Sequence, residues 1–342
     1  MGGISKRGNV LTTFNNSEDL ALRLRNFIKD KDAYSENTWK QLLSVMRVCN
    51  RWAMEYGRSF LPMSSEDLRA YLIYLQESGR ASSTIKQHAA MISLLHRNAG
   101  YVAPNTSPDV TRAIKKINRT AVMSGERTGQ ALPFRKTDLM KFDELWGSSP
   151  RLQDLRDLAF LHVSYSTLMR ISEISRIRVK DLSRAEDGRF IIDVRYTKTI
   201  VNASGVIKAL SARSSKRLTE WLEAAALFDK PEAYIFCRVH RTNKPLTSDA
   251  HKFSTRSMEE IFVRAWQLSG NDETVKTNKN RYAGWSGHSA RVGAAQDMTN
   301  KGFSVAEIMQ EGTWRKTETL MGYIRHVEAH KGAMIKHMED ED

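Results

Sequence analysis

Cysteine is scarce in this chain, with only Cys49 and Cys237 among 342 residues. The two lie far apart and show no metal-ligand spacing, which excludes a disulfide framework and a cysteine-built zinc site. Each sits in an apolar stretch and reads as a small core residue in a reducing compartment. No apolar run is long enough to span a bilayer. The N-terminal MGGISKRGNVLTTFNN lacks the continuous apolar core of a signal peptide. Its Met-Gly start resembles a myristoylation signal only weakly. No cluster of carboxylates or Cys/His pairs suggests a metal, so neither metal nor cofactor is expected. Acidic residues are in deficit: 39 Asp and Glu stand against 53 Lys and Arg, a formal charge of +14. That surplus is the footprint of a polyanionic partner, although a merely basic protein would share it. It is dispersed rather than gathered in a tail, which suits a folded binding surface.

The length suits two domains. Residues 1–16 show no periodicity and are expected to be disordered. A small helical bundle is predicted over 17–120. Leu20, Leu24, Phe27 and Ile28 repeat at helical spacing. Ser35 or Asn37 can cap a helix with Trp39, Leu42, Leu43, Met46, Cys49 and Ala53 on one face. Ser64 opens another over Leu68, Tyr71, Leu72 and Leu75, and Ser82 or Ser83 a third over Ile85, His88, Met91, Ile92 and Leu95. Pro108 begins the last, with Val110, Ala113, Ile114 and Ile117. Lys40, Gln41, Ser44 and Arg47 share one polar face, and Ser83, Lys86, Gln87 and Asn98 another. Such faces are either solvated or laid in a DNA groove, where Gln reads adenine and Lys or Arg holds phosphate.

A linker is predicted over 121–135, where Gly, Ser, Thr and Pro mix with basic residues after Arg119 and break the helical period. A second domain is expected over 136–342. Thr137-Asp138 can cap a helix to Leu145, and 152–168 reads as a buried helix. Arg170 and Glu173, three apart on a helix, form either a surface salt bridge or a carboxylate-held guanidinium aimed at phosphate. Residues 189–198 read as a strand returning over 201–210, with Lys198 at the hairpin end. A lysine there is ordinarily surface, yet nearby arginines would depress its pKa from about 10.4 and make it a better proton donor. Helices follow at 214–227 and 253–266, with Arg256 and Glu259 on one face of the second. The fold class is mainly α, with a small antiparallel sheet.

The segment from Ser286 to Arg325 brings His288, Arg291, Trp314 and Tyr323 together. His288 and Arg291 are three apart and can reach one anion from a shared helical face. Tyr323 follows Trp314 across a polar turn and can meet it in one pocket. Phosphate is the natural guest. Singly, each of these residues also reads as ordinary packing or surface.

The run GHSARVGAA, Trp314 and YIR around Tyr323, with TLMRISEISRIRVKDLSR at 167–184 and TKT at 197–199, resembles the tyrosine site-specific recombinases of the phage integrase family. The likeness runs from about Tyr34 to the C-terminus. It implies that Tyr323 attacks a DNA phosphodiester, leaving a 3′-phosphotyrosyl bond and a 5′ hydroxyl. Arg170, Arg291 and Trp314 would bind the nonbridging oxygens, Glu173 would hold Arg170, Lys198 would protonate the leaving oxygen, and His288 would assist proton transfer. Lys40, Gln41, Arg47, Lys86, Gln87, Arg119, Arg256 and Arg281 are the implied DNA contacts, with Gln87 at a base-contacting position and Arg256 on guanine. Gln41 and Thr313 depart from the pattern. The first implies a different target sequence, and the second should not alter chemistry. The partners implied are double-stranded DNA with inverted-repeat half-sites and further copies of the chain, a dimer on one site and a tetramer on two. The tail 328–342 would dock on a neighbouring subunit, although it can equally fold back on its own domain. A cytoplasmic, nucleoid-associated location follows. A type IB topoisomerase shares the chemistry, and a non-enzymatic DNA-binding protein shares the charge and the bundle.

Overall fold

The computed structural model describes residues 16–126, 129–194, 205–248, 251–270 and 284–330, with Ile335, His337 and Met338. The chain divides into two compact units, Met1–Thr128 and Gly129–Asp342.

In the first unit α1 (Asn16–Lys29), α2 (Glu36–Glu55), α3 (Ser65–Glu77), α4 (Ser82–Asn98) and α5 (Pro108–Met123) form the bundle. Serine supplies the start signals. Ser35, Ser64 and Ser107 accept N–H groups of Thr38, Asp67 and Asp109, each worth about 1 kcal/mol of helix stability. At α4 no side chain of the N-cap residue Ala81 can do this. The Glu126 carboxylate accepts from Ser82 N at 3.0 Å and from its hydroxyl at 2.8 Å instead. Val45, Cys49, Trp52, Leu68, Tyr71, Leu72, Ile85, Ile92, Val110 and Ile117 make the core. Leu43 and Ile28, expected inside, are exposed. Each stands next to the residue that takes the core position, Leu42 and Phe27, and one step along a helix turns a side chain by about 100°.

The second unit holds α6 (Lys136–Trp146), α7 (Leu152–Thr167), α8 (Ile171–Ile174), α9 (Ala212–Ala224), α10 (Thr255–Leu268), α11 (Ser289–Asn300), α12 (Val305–Gly312) and α13 (Thr317–His330). Within the stretch read as a linker, α5 continues to Met123, and Ala131 and Phe134 are buried, Phe134 in the core of the second unit. Asp138 caps α6 from its third position by accepting Arg135 N at 2.9 Å. Strands β1 (Leu182–Arg184), β2 (Phe190–Val194) and β3 (Val206–Ala209) pair antiparallel in that order, with Ile192 opposite Lys208. A two-stranded ladder, β4 (Arg238–Val239) with β5 (Pro245–Leu246), lies where only turns were expected.

The buried α7 carries more than its apolar side chains. His162 faces Asp143 of α6 at 3.0 Å and Ser214 of α9 at 3.2 Å, while Asp157 takes Arg156 and also Arg264 of α10 at 2.6 Å. Buried polar groups need partners, and here the partners tie three neighbouring helices to α7. Among the described residues no helix is long and apolar enough to cross a membrane.

Candidate active site

After α7, Leu168 adopts a left-handed conformation (φ 52°) that turns the chain out of the helix. Arg170 follows with extended backbone as the N-cap of α8, and Glu173 stands at the third helical position. The two are therefore not neighbours along one helix face, as their spacing implied. Glu173 instead reaches back, accepting Arg170 N and Arg170 Nη1, each at 2.9 Å. The carboxylate is buried and fixes both the backbone and the guanidinium of one residue, leaving the remaining N–H groups of the fork for an anion.

Arg291 lies in the first turn of α11 and is 1% exposed. Nη1 donates to Leu168 O, Nη2 donates to Gly312 O at 3.0 Å, and the guanidinium plane lies 4.7 Å from the Trp314 ring centre. Burial pushes its pKa down to about 10, and Arg170 adds to the fall, while Tyr323 and Glu173 oppose it. The group thus keeps its charge at neutral pH. Planar and weakly hydrated, it is the cation best suited to such burial. Gly293 on the same helix permits this depth, because a Cβ there would overlap the backbone of Phe134.

The chain leaves α12 through Thr313, left-handed at φ 53°. A threonine there costs about 1 kcal/mol relative to glycine, and its hydroxyl offsets part of this by donating to Gly312 O at 2.7 Å. Trp314 follows, 6% exposed. A Cβ at Gly312 would overlap its ring. Tyr323, half-buried on α13, places its ring 5.5 Å from Trp314, and its carbonyl accepts Gln130 Nε2 at 2.8 Å and Gln296 Nε2 at 2.9 Å. Arg170, Glu173, Arg291, Trp314 and Tyr323 thus converge from four elements on one place. It combines fixed cationic N–H groups, which can bind an anion, with a phenol, which can act as a nucleophile. His288 is the exposed N-cap of α11. Lys198 lies outside the described residues, as do Arg281 and Tyr282, a second phenol in the same half of the chain.

Residues 137–330 match the phage integrase family. The chain is also 42% identical over 328 residues to recombinase cre of Escherichia phage P1, covering 95% of this chain and 94% of that one. The chain belongs to the phage integrase family. It is a tyrosine recombinase, similar to cre along nearly its whole length. Solved structures carry the same fold at low identity. A Tn1549 transposon integrase in complex with circular intermediate DNA aligns at TM-score 0.58 and 12% identity over 89% of this chain and 94% of that one. A lambda integrase dimer bound to a core site aligns at 0.54 and 16% identity, with the same coverage.

Of the residues expected to meet DNA, this recombinase exposes Lys40, Gln41 and Arg47 on α2, opposite the buried Leu42, Val45 and Cys49. Lys40 pairs with Glu36 at 2.6 Å. Lys86 is exposed and Gln87 half-buried on α4, and Arg119 is exposed on α5. Arg256 on α10 has 90% of its side chain in solvent and pairs with Glu260 at 3.7 Å rather than with Glu259. Three side chains beside the site escaped the sequence reading: Gln130 and Gln296, which grip the Tyr323 carbonyl, and Lys208. No spacing rule flags them, since their partners lie far away in sequence.

Proposed function

We propose that this recombinase cleaves and rejoins DNA at inverted-repeat sites through a 3′-phosphotyrosyl link to Tyr323, acting as a dimer on one site and a tetramer on two. The observation that carries the assignment is the buried Arg291, whose fork is held by two carbonyls beside Trp314 and Tyr323. A guanidinium fixed there before substrate arrives stabilises charge on the nonbridging oxygens without reorganisation at the moment of reaction. Arg170, aligned by Glu173, acts on the same oxygens, and the Trp314 indole N–H donates to one of them. Tyr323 attacks in line, the 5′ oxygen leaves with a proton from Lys198, and His288 assists transfer of the phenolic proton. The bond energy stays in the protein–DNA link, so rejoining needs no nucleotide. Acting on DNA, such an enzyme would work in the cytoplasm at the nucleoid.

The test is selection of a preferred site from random duplex DNA, followed by a search for a covalent adduct on that site. Relaxation of supercoiled DNA without site preference would point to a topoisomerase, and no adduct at all to a binding protein. Cleavage is further expected to persist in excess EDTA, because paired guanidinium groups supply the charge that metals give other phosphoryl-transfer sites. Loss of the adduct in EDTA with recovery in magnesium would defeat that reading.

Assembly is assigned to residues 328–342. A groove of about 990 Å³ in the second unit presents Met140, Met298 and Phe303 together with Lys136, Arg213 and Lys301. The tail offers Ala333, Met334, Ile335 and Met338 followed by an acidic end, the complementary chemistry. Deleting it is expected to leave half-site binding nearly intact, weaken cooperative filling of the second half-site and abolish recombination. Gel-shift titration on half and full sites reads this, and undiminished cooperativity would return the tail to its own domain.

A further inference from the structure

Strand β3 reverses the usual alternation. Ile207 is 70% exposed while the Lys208 side chain is 7% exposed. Burying an ammonium in place of an available isoleucine is costly, and the residue is explained only by what it reaches. Its Nζ donates to Glu311 O and lies 3.6 Å from Glu311 Oε2. Burial lowers its pKa, Glu311 works against that fall, Arg291 deepens it and Glu173 opposes it, so the ammonium senses the charges of the active site itself.

Glu311 O is one of the last four carbonyls of α12, which have no partner within their own helix. Met309 O accepts Trp314 N at 2.9 Å and Gln310 O accepts Thr313 N at 3.2 Å as the chain reverses. Gly312 O accepts Arg291 Nη2 at 3.0 Å, and Glu311 O accepts Lys208 Nζ. Two cations from different elements therefore grip adjacent carbonyls at the negative end of the helix, immediately before Trp314.

We propose that Lys208 is a positioning residue for the cleavage reaction, clamping the end of α12 to β3 so that Trp314 and Arg291 are held in register at the reactive phosphate. The proposal rests on the site assignment above. Without the clamp, Glu311 O loses its cationic donor and the Trp314 turn relaxes. Lys208 need not touch DNA for its loss to slow chemistry, since a misplacement of roughly 1 Å costs about 100-fold.

The experiment measures single-turnover covalent cleavage at saturating DNA, well below each variant's melting temperature. Lys208→Met is expected to cleave about 100-fold more slowly with site affinity within about twofold, because many other basic residues carry the affinity. Lys208→Arg, which keeps a donor in reach, is expected to recover most of the rate. Glu311→Gln, which keeps the backbone acceptor, is expected to stay within about threefold. In a double-mutant cycle, Lys208→Met added to Trp314→Phe is expected to slow cleavage little further, since both remove the same placement. Should Lys208→Met not fold, Lys208→Gln, whose donor ends short of the carbonyl, carries the same expectation. Wild-type cleavage by either folded variant, or full additivity with Trp314→Phe, overturns the proposal. The wild-type adduct in the same gel tests the site assignment separately.

Discussion

Replacing Tyr323 by phenylalanine is expected to leave site binding unchanged and to reduce covalent adduct by at least about four orders of magnitude, to the background of the assay. The separation is sharp because the ring and the backbone of this residue carry its packing, while its hydroxyl faces the Arg291 guanidinium in the site. The ring packs 5.5 Å from Trp314, and the backbone carbonyl is held by Gln130 and Gln296. Phenylalanine keeps both. The proposed DNA-binding surface consists of dispersed lysines and arginines, none of which the substitution replaces. Trapping on a nicked site that prevents rejoining, followed by denaturing electrophoresis, gives the adduct yield. A normal yield from the substituted protein would move the nucleophile elsewhere, with Tyr282 the first alternative to test.

The longer helices of both units were legible because their apolar residues recur at helical spacing and, in the first unit, serines stand at start positions, as at Ser35 and Ser64. The site was legible as residue types in order, since Arg170, Arg291, Trp314 and Tyr323 carry the chemistry a phosphate needs. What periodicity does not encode is a long-range polar contact. The grip of Lys208 on Glu311 joins positions far apart in sequence, as does that of Gln130 on Tyr323, and neither leaves a local trace. Short strands fail for a related reason. The ladder of Arg238 with Leu246 has too few residues to show an alternation, whereas β3 falls within the returning stretch 201–210 even though its buried lysine inverts the alternation. Spacing also misdescribed Arg170 and Glu173. Three positions apart reads the same for two residues on a helical face and for an N-cap with its third helical residue, and only the backbone dihedrals tell them apart.

That distinction sets the second large effect. Arg170→Lys is expected to lower single-turnover cleavage by about 10²–10³-fold, the scale of losing one preorganised donor to a developing oxyanion. Site affinity should change by less than about twofold. The reasoning starts from Glu173, which is buried and accepts from both the backbone and Nη1 of Arg170. One N–H of the guanidinium is thereby spent on orientation, and the rigid plane carries the others to the phosphate at a fixed angle. Lysine offers an ammonium of the same charge, but a single nitrogen cannot stay on Glu173 and also present a two-pronged face to two oxygens. It will stay on the buried carboxylate first, because withdrawing a cation from beside that buried charge is the costlier choice. The substitution therefore keeps the fold and withdraws the donor. Cleavage rate and half-site affinity measured on the same preparation distinguish this from its rival. If the whole loss appears as weaker binding, with the saturated complex cleaving at the normal rate, Arg170 is an ordinary phosphate contact and the transition-state charge rests on Arg291 and Trp314.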